Sequence, residues 1–328
     1  MAIRERENGE ASITDVARRA RVSVGTVSRV INQHPKVDPA LRRRVQIASR
    51  QLGFVPRLQH KCIALITGRR NPSLPIGYVS VMTSLVSQYL ADSRYAVELI
   101  DLENLELLYE AHTQGAIGVV FDDRLVEAMK IPKLPIMTIN APLVEHGIHS
   151  VRADHYQQGV LAAEHCIRRG HRAIGLLCVD VNEWGASERI RGYRATMAAA
   201  GHEIDPSWIQ STLTQKPYDT LSRWTSRGVT AILNFSEDTS FEVLHILSNI
   251  LKLRIGQDIS VISLEDMPVY QYLTPPQTTV YQPLAELARL AVKTMFELCD
   301  GKANDHQVID LRLPTQLIER DSVATLSA

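Results

Sequence analysis

From Ile63 onward the chain repeats one motif: a short, β-branched apolar run, a helical stretch, then another apolar run. IALI (63–66), VELI (97–100), IGVVF (117–121) and IMTI (136–139) recur in this way, followed by IGLLCV (174–179), TAIL (230–233) and ISVIS (259–263). Between them, segments such as 160–168, 188–200 and 284–298 carry apolar residues at helical spacing. Runs that are apolar throughout are buried on both faces, which is the habit of parallel sheets covered by helices on both sides. About ten strands exceed one doubly wound unit, so two lobes with a ligand-sized cleft between them are expected.

The first 61 residues follow a different rule. Ser12 and Asp15 have the spacing of a capping box, and Ile13, Val16, Ala17 and Ala20 then recur on one helical face. Ala20-Arg21-Val22-Ser23 interrupts the pattern. Ser23 is placed to cap a second helix whose Val27, Val30 and Ile31 face inward, and ALRRRVQIASRQLGF supplies a third with Leu41, Val45, Ala48 and Leu52. Two short helices across a tight turn, packed on a third, make a helix-turn-helix unit. The outer face of the second helix would present Val24, Gly25, Thr26, Ser28, Arg29 and Asn32. Arg29 has the reach for a guanine edge in the major groove, Val24 suits a thymine methyl, and the short polar side chains suit phosphate oxygens.

Charge supports this division. The chain has no formal net charge, yet residues 1–61 carry 13 Lys or Arg against 5 Asp or Glu, and the remainder carries 23 against 31. A basic head on a mildly acidic body predicts that the head alone meets a polyanion.

The run SITDVARRARVSVGTVSRVINQHPKVDPALRRRVQIASRQLGFVP resembles the DNA-binding head of the lactose-repressor (LacI/GalR-type) family, with its D-V-A, V-S-x-x-T-V-S-R-V-x-N and G-[FY]-x-P elements in order. The resemblance implies base-reading positions at Val24, Gly25 and Arg29, and phosphate contacts from Ser12, Ser23, Thr26, Ser28 and Asn32. Gly25, with no side chain, is expected to discriminate bases poorly. The body is similar to that family's sensor core, itself like periplasmic sugar-binding proteins. Matching elements are Asn71-Pro72, Asp154 with Gly159, Gly170-His171-Arg172, Arg189-x-x-Gly192-Tyr193, Asp258-Ile259-Ser260-Val261 and Pro275-Pro276-x-Thr278-Thr279-Val280. The implied fold is a small all-α helix-turn-helix head followed by an α/β two-lobed, periplasmic-binding-protein-like (type I) core with parallel sheets. Its expected parts are an N-terminal extension (1–11), the head (12–57), a linker (58–62) and the core (63–328). Lobe 1 is placed at about 63–165 and 284–312, and lobe 2 at about 166–283 and 313–328.

Effector-binding roles carried over by the resemblance fall on Asn71, Pro72, Ser73, Asp154, Arg189, Tyr218, Ser236 and Glu265, with Trp184 and Leu284 as further candidates. A carboxylate at Asp154 and a guanidinium at Arg189 are expected to hold a polyol from opposite lobes. The alternatives are an Asp that caps a helix at His155 and an Arg in a structural ion pair. Trp184 either replaces a lost pocket ring or packs structurally. The pattern departs at Ser236-Glu237, where the family usually has Asn-Asp, and at Ser263-Leu264-Glu265-Asp266, where it has Gly-[FY]-Asp-Asp. These departures predict a pocket with an altered ligand.

The link between head and core departs most. In the family this segment forms a short helix on operator DNA and inserts paired leucines into the minor groove. Here the interval from Pro56 to Ile63 is about two helical turns shorter. Leu58 is the sole candidate for a wedge, and each head is expected to sit rigidly and close to its lobe.

The expected function is a dimeric, effector-controlled DNA-binding regulator, most readily a repressor on a palindromic operator, with a carbohydrate- or nucleoside-like effector. The alternative is a small-molecule sensor with weak or non-specific DNA binding. Enzyme motifs are missing: there is no P-loop, G-x-S-x-G or H-E-x-x-H, and His112, His165 and His171 have no evident convergent partners. No catalytic residue, metal or cofactor is expected. Four scattered cysteines without a CxxC pair, no apolar run long enough for a membrane span and a charged start point to a reducing cytoplasm.

Overall fold

The computed structural model describes residues 11–32, 34, 36–54, 61–68, 77–109, 113–120, 122–236, 239–301 and 307–326. The expected N-terminal extension up to residue 10, Leu58, Asn71, Pro72, Ser73, His112 and Glu237 lie outside them.

Three helices form the head: α1 (Ile13–Ala20), α2 (Val24–Ile31) and α3 (Pro39–Leu52). Each starts where its sequence supplies a cap. The Ser12 amide donates to Asp15 Oδ2 at 2.9 Å and the Asp15 amide returns to Ser12 Oγ at 3.3 Å, a reciprocal box. Ser23 Oγ accepts from the Thr26 amide, and Asp38 caps α3 ahead of Pro39, whose missing N–H costs nothing there. Val16, Ala17, Ala20, Val27, Val30, Val45 and Ala48 bury together as the head's core, with Ile13, Val22, Leu52 and Phe54 packed around them.

The body continues with β1 (Lys61–Thr67), α4 (Tyr78–Asp92), β2 (Tyr95–Asp101), β3 (Gly115–Val119), β4 (Ile136–Ile139), β5 (His149–Ala153), α5 (His155–Arg168), β6 (Ile174–Cys178), α6 (Trp184–Ala199), β7 (Ile209–Ser211), α7 (Pro217–Ser226), β8 (Ala231–Phe235), α8 (Ser240–His245), β9 (Ser260–Leu264), β10 (Thr278–Tyr281), α9 (Leu284–Cys299), β11 (Asp310–Leu313) and β12 (Gln316–Ile318). Among the described residues these strands make two sheets of six, ordered β2-β1-β3-β4-β5-β11 and β7-β6-β8-β9-β10-β12. The two orders are the same path walked twice. β1 to β5 pair in parallel, as do β6 to β10, while β12 returns antiparallel to β10.

The chain divides into two compact units, Met1–Arg70 with Met82–Val151 and Ala288–Asp310, and Asn71–Val81 with Arg152–Leu287 and Leu311–Ala328. This differs from the expected lobe boundary near residue 165. The whole of α5 belongs to the second unit because Gly159 and Gly192 let it lie directly on α6. A Cβ on Gly159 would meet the Arg189 carbonyl oxygen at 2.0 Å, and one on Gly192 would meet the Tyr156 carbonyl oxygen at 2.1 Å. Tyr193, buried beside them, donates its hydroxyl to the Ile174 carbonyl at 2.7 Å and so ties α6 to β6. Among the described residues no helix is long and apolar enough to cross a membrane.

Candidate DNA-reading helix and effector site

The caps of α2 and the inward Val27 and Val30 leave its opposite face to solvent. Val24 is 43% exposed. Arg29 is exposed and its Nε donates to the Gly25 carbonyl at 3.3 Å, so the guanidinium lies back along the helix. A Cβ at Gly25 would meet only the Ser23 hydroxyl, at 3.9 Å, within 4 Å, so the backbone there is open to close approach. Asn32 donates to the Ser28 carbonyl at 2.9 Å and closes the helix. Ser12, Ser23 and Thr26 already hold local bonds: the Ser23 and Thr26 hydroxyls lie 2.9 Å apart. Val24, Gly25, Ser28, Arg29 and Asn32 thus share one outward face, and Ser12, Ser23 and Thr26 stand at helix starts, where backbone N–H groups favour anions.

The second constellation is built at the carboxyl ends of the second sheet's parallel strands, the edge at which open α/β sheets bind ligands. After β6 come Glu183 and Trp184, after β8 comes Ser236, and after β9 comes Glu265. Glu183 caps α6, accepting from the Gly185 and Ala186 amides at 2.8 Å each. One turn on, Arg189 is 7% exposed. Its Nη2 is 3.8 Å from Glu183 Oε2, its Nη1 is 2.8 Å from His155 Nδ1 and 3.4 Å from Gln158 Oε1, and its guanidinium lies 5.9 Å from the Phe235 ring centre. His155 Nδ1 also lies 3.0 Å from Gln158 Oε1, so this one nitrogen faces both the guanidinium and the amide oxygen. Burial first, then Arg189, holds this imidazole well below the ordinary histidine range, and it is neutral. The edge of the Trp184–His155 pair is T-shaped with ring centres 5.0 Å apart, and Arg152 lies 5.6 Å over the indole.

Several expectations change here. Asp154 and Arg189 do not come from opposite lobes: both belong to the second unit. Asp154 caps α5 by accepting from the Gln157 amide at 2.8 Å and pairs with Arg312 at 2.6 Å, the capping alternative weighed from sequence. Arg189 likewise has the ion pair weighed for it. Trp184 opens α6. Ser236 is buried, its carbonyl holds Asn234 Nδ2 and Ser240 Oγ, and its own hydroxyl has no partner among the described residues. Glu265 adopts φ +61, a strained left-handed conformation for a side-chain-bearing residue, and its carboxylate accepts from Gln282 Nε2. Tyr218 stands on the first turn of α7, 46% exposed, and Leu284 is the half-buried first residue of α9. Sequence reasoning missed His155 and Glu183. Neither carried a sequence signal: glutamate is not a favoured helix cap, and His155 stands 34 positions from Arg189.

Known proteins share both halves. The pattern of "Bacterial regulatory proteins, lacI family" matches residues 12–57, and that of "Periplasmic binding protein-like domain" matches residues 163–323. The head carries the lacI-family pattern. Over 348 residues it is 26% identical to the ribose operon repressor of Haemophilus influenzae, covering 96% of this chain and 99% of that one. Over 346 residues it is 27% identical to the HTH-type transcriptional repressor PurR of Aliivibrio fischeri, covering 95% and 98%. The solved transcriptional regulator CelR–cellobiose complex superposes with a TM-score of 0.70 at 25% identity, covering 95% of this chain and 99% of that one. The chain therefore has the make-up of a regulator of transcription, a helix-turn-helix head on a type I periplasmic-binding-protein-like core.

Proposed function

We propose that this chain acts in the cytoplasm as a homodimeric lacI-family repressor that reads a palindromic operator with α2 and is controlled by a carbohydrate- or nucleoside-like effector. The observation that carries the DNA half is the solvent-facing stripe Val24, Gly25, Ser28, Arg29 and Asn32 on a helix capped at both ends. Arg29 reads a guanine, Val24 packs on a thymine methyl, and the Ser12, Ser23, Thr26, Ser28 and Asn32 groups hold phosphates and so fix register. A dimer presents two such helices, and a symmetric operator matches that symmetry.

For the effector, support comes from polar groups at strand ends beside an aromatic ring. Arg189 donates from a buried position, Glu265 and Ser236 accept or donate hydroxyl bonds, and Trp184 offers an apolar face to a sugar or nucleoside ring. Asn71, Pro72, Ser73, Tyr218 and Leu284 complete the proposed set, while Asp154 contributes chiefly by fixing the start of α5.

Selection of duplexes from a random pool, followed by gel shifts at fixed salt, tests the DNA half. The expected result is enrichment of a palindrome with affinity falling steeply as salt rises. A flat preference over random duplex at low salt would refute it. Thermal-shift screening against sugars and nucleosides tests the effector half, since a ligand at 100 times its dissociation constant stabilises by roughly 2.7 kcal/mol.

A further inference from the structure

Helix α3 makes contacts on two faces. Val45, Ala48 and Leu52 close the head's core. A second stripe, Arg43, Gln46, Arg50 and Gly53, has the 3- and 4-residue spacing of one helical face and points well away from the first. Within it Gln46 is 4% exposed, and Ser49 at the stripe's edge is 5% exposed, although neither belongs to an apolar core. Beside this stripe lies the rest of the first unit. The Arg43 guanidinium sits 4.0 Å over the ring of Tyr109, which ends the 3-10 stretch Leu102–Tyr109 and is packed against the first sheet's core. Arg50 Nη2 lies 3.5 Å from the buried Thr113 hydroxyl just before β3, and Lys133 Nζ lies 3.9 Å from where a Cβ on Gly53 would stand. Burial lowers the Arg50 guanidinium to about 10, the mark of a cation held out of water. An arginine stacked on an aromatic face and another inserted beside a threonine form a specific seat, and the covalent link between head and β1 is short.

We propose that α3 is a docking surface by which the head is seated on the rest of the first unit, so that the DNA-reading helix and the first sheet move as one arm without DNA being present. Signalling in this chain then consists of moving two arms relative to each other, with the α3 seat carrying out the positioning that a DNA-induced linker helix would otherwise perform. The seat itself does not depend on the regulator reading; its use in spacing the heads rests on that reading.

Hydrogen exchange on the full-length, DNA-free protein tests the seat. Arg43→Ala removes an exposed side chain and spares the head core. A cation–π contact of about 1 kcal/mol predicts roughly fivefold faster exchange of the amides in Leu102–Tyr109, with α1 unchanged. Tyr109→Ala should in turn speed exchange in α3. Unchanged rates in Leu102–Tyr109 for Arg43→Ala overturn the proposal whatever Tyr109→Ala does to the lobe. The second arm uses the selected operator with one base pair inserted between half-sites. Wild type should lose at least about tenfold in affinity, and a variant carrying both Arg43→Ala and Tyr109→Ala less than about threefold, because freed heads tolerate the new spacing. Equal losses overturn the arm mechanism. If no duplex is selected at all, the regulator reading fails while the exchange experiment still decides whether the head is seated.

Discussion

The outward face of α2 and the strand ends of the second sheet are both polar, but they are held in opposite ways. On α2 each exposed group is positioned by neighbours within four residues: Arg29 by Gly25, Asn32 by Ser28, Thr26 by Ser23. At the strand ends Arg189 is positioned by His155 from another helix, and Glu265 by Gln282 from beyond the next strand. A surface built locally tolerates substitution, and its losses appear in binding. A surface built by convergence couples binding to the packing beneath it.

The sharpest way to break this contrast is Gly159→Ala. The added methyl meets the Arg189 carbonyl oxygen, a backbone atom that cannot swing aside, so α5 and α6 must separate. Overpacking of this kind costs about 3 kcal/mol, the upper end of the usual range, and it also displaces the guanidinium. Thermal denaturation should fall by several degrees and effector binding should weaken together with it. An unchanged melting temperature would show that the two helices are not locked at this crossing.

The opposite behaviour is expected of Arg29→Ala. Removing a bidentate guanine contact costs about 1–3 kcal/mol at one base pair, with no loss of thermal stability because the side chain is exposed. Gel shifts against operators varied at single positions would show relaxed preference at one symmetric pair. Unchanged selectivity would remove Arg29 from the reading face.

Proton linkage separates the regions further. His155 is neutral in the folded chain, held there first by burial and then by Arg189. Its folded pKa is therefore below that of the unfolded chain. Above the unfolded value of about 6.5 both states are neutral and nothing is lost; as pH falls below it, only the unfolded state gains the proton, and stability declines by at most about 1.4 kcal/mol per pH unit for this group. His165 and His171 are lowered by burial in the same direction. The second unit should melt earlier between pH 6.5 and 5.5, and an imidazole NMR titration should find His155 resisting protonation. A normal titration would contradict the buried Arg189–His155 bond.

These differences also explain what could be read in advance. Helix starts at Ser12 and Ser23, and strands such as IMTI, were legible because a cap or an apolar run acts on its own neighbourhood. β5 (HSVRA) and β7 (IQS) were not, since their polar residues form strands only through pairing with β4 and β6. Asp154 was expected in the first lobe but belongs to the second unit, because nothing in the run from Val151 to Asp154 shows that the chain changes units there. His155 as a partner of Arg189 needed the helix crossing at Gly159 and Gly192, which depends on three-dimensional contact.

The smallest effect belongs to the head. Arg21 ends α1 at φ 54, a left-handed turn that glycine adopts freely and a β-carbon-bearing residue adopts at a cost. Its backbone is needed there: the Arg21 amide donates to Arg18 and the Val22 amide to Ala17, which makes the tight turn between the two helices. Arg21→Gly keeps those bonds and relieves the strain, while the freer unfolded chain gives part of the gain back, leaving about 0.5–1 kcal/mol of added stability. The same change removes one exposed positive charge from the basic head. Operator affinity should fall slightly and with a shallower salt slope even as the melting temperature rises. If the head is seated on the rest of the first unit through α3, this gain should appear in the melting of the first unit as a whole. A gain confined to the head's own transition would separate the two and return the head to the status of an independent domain.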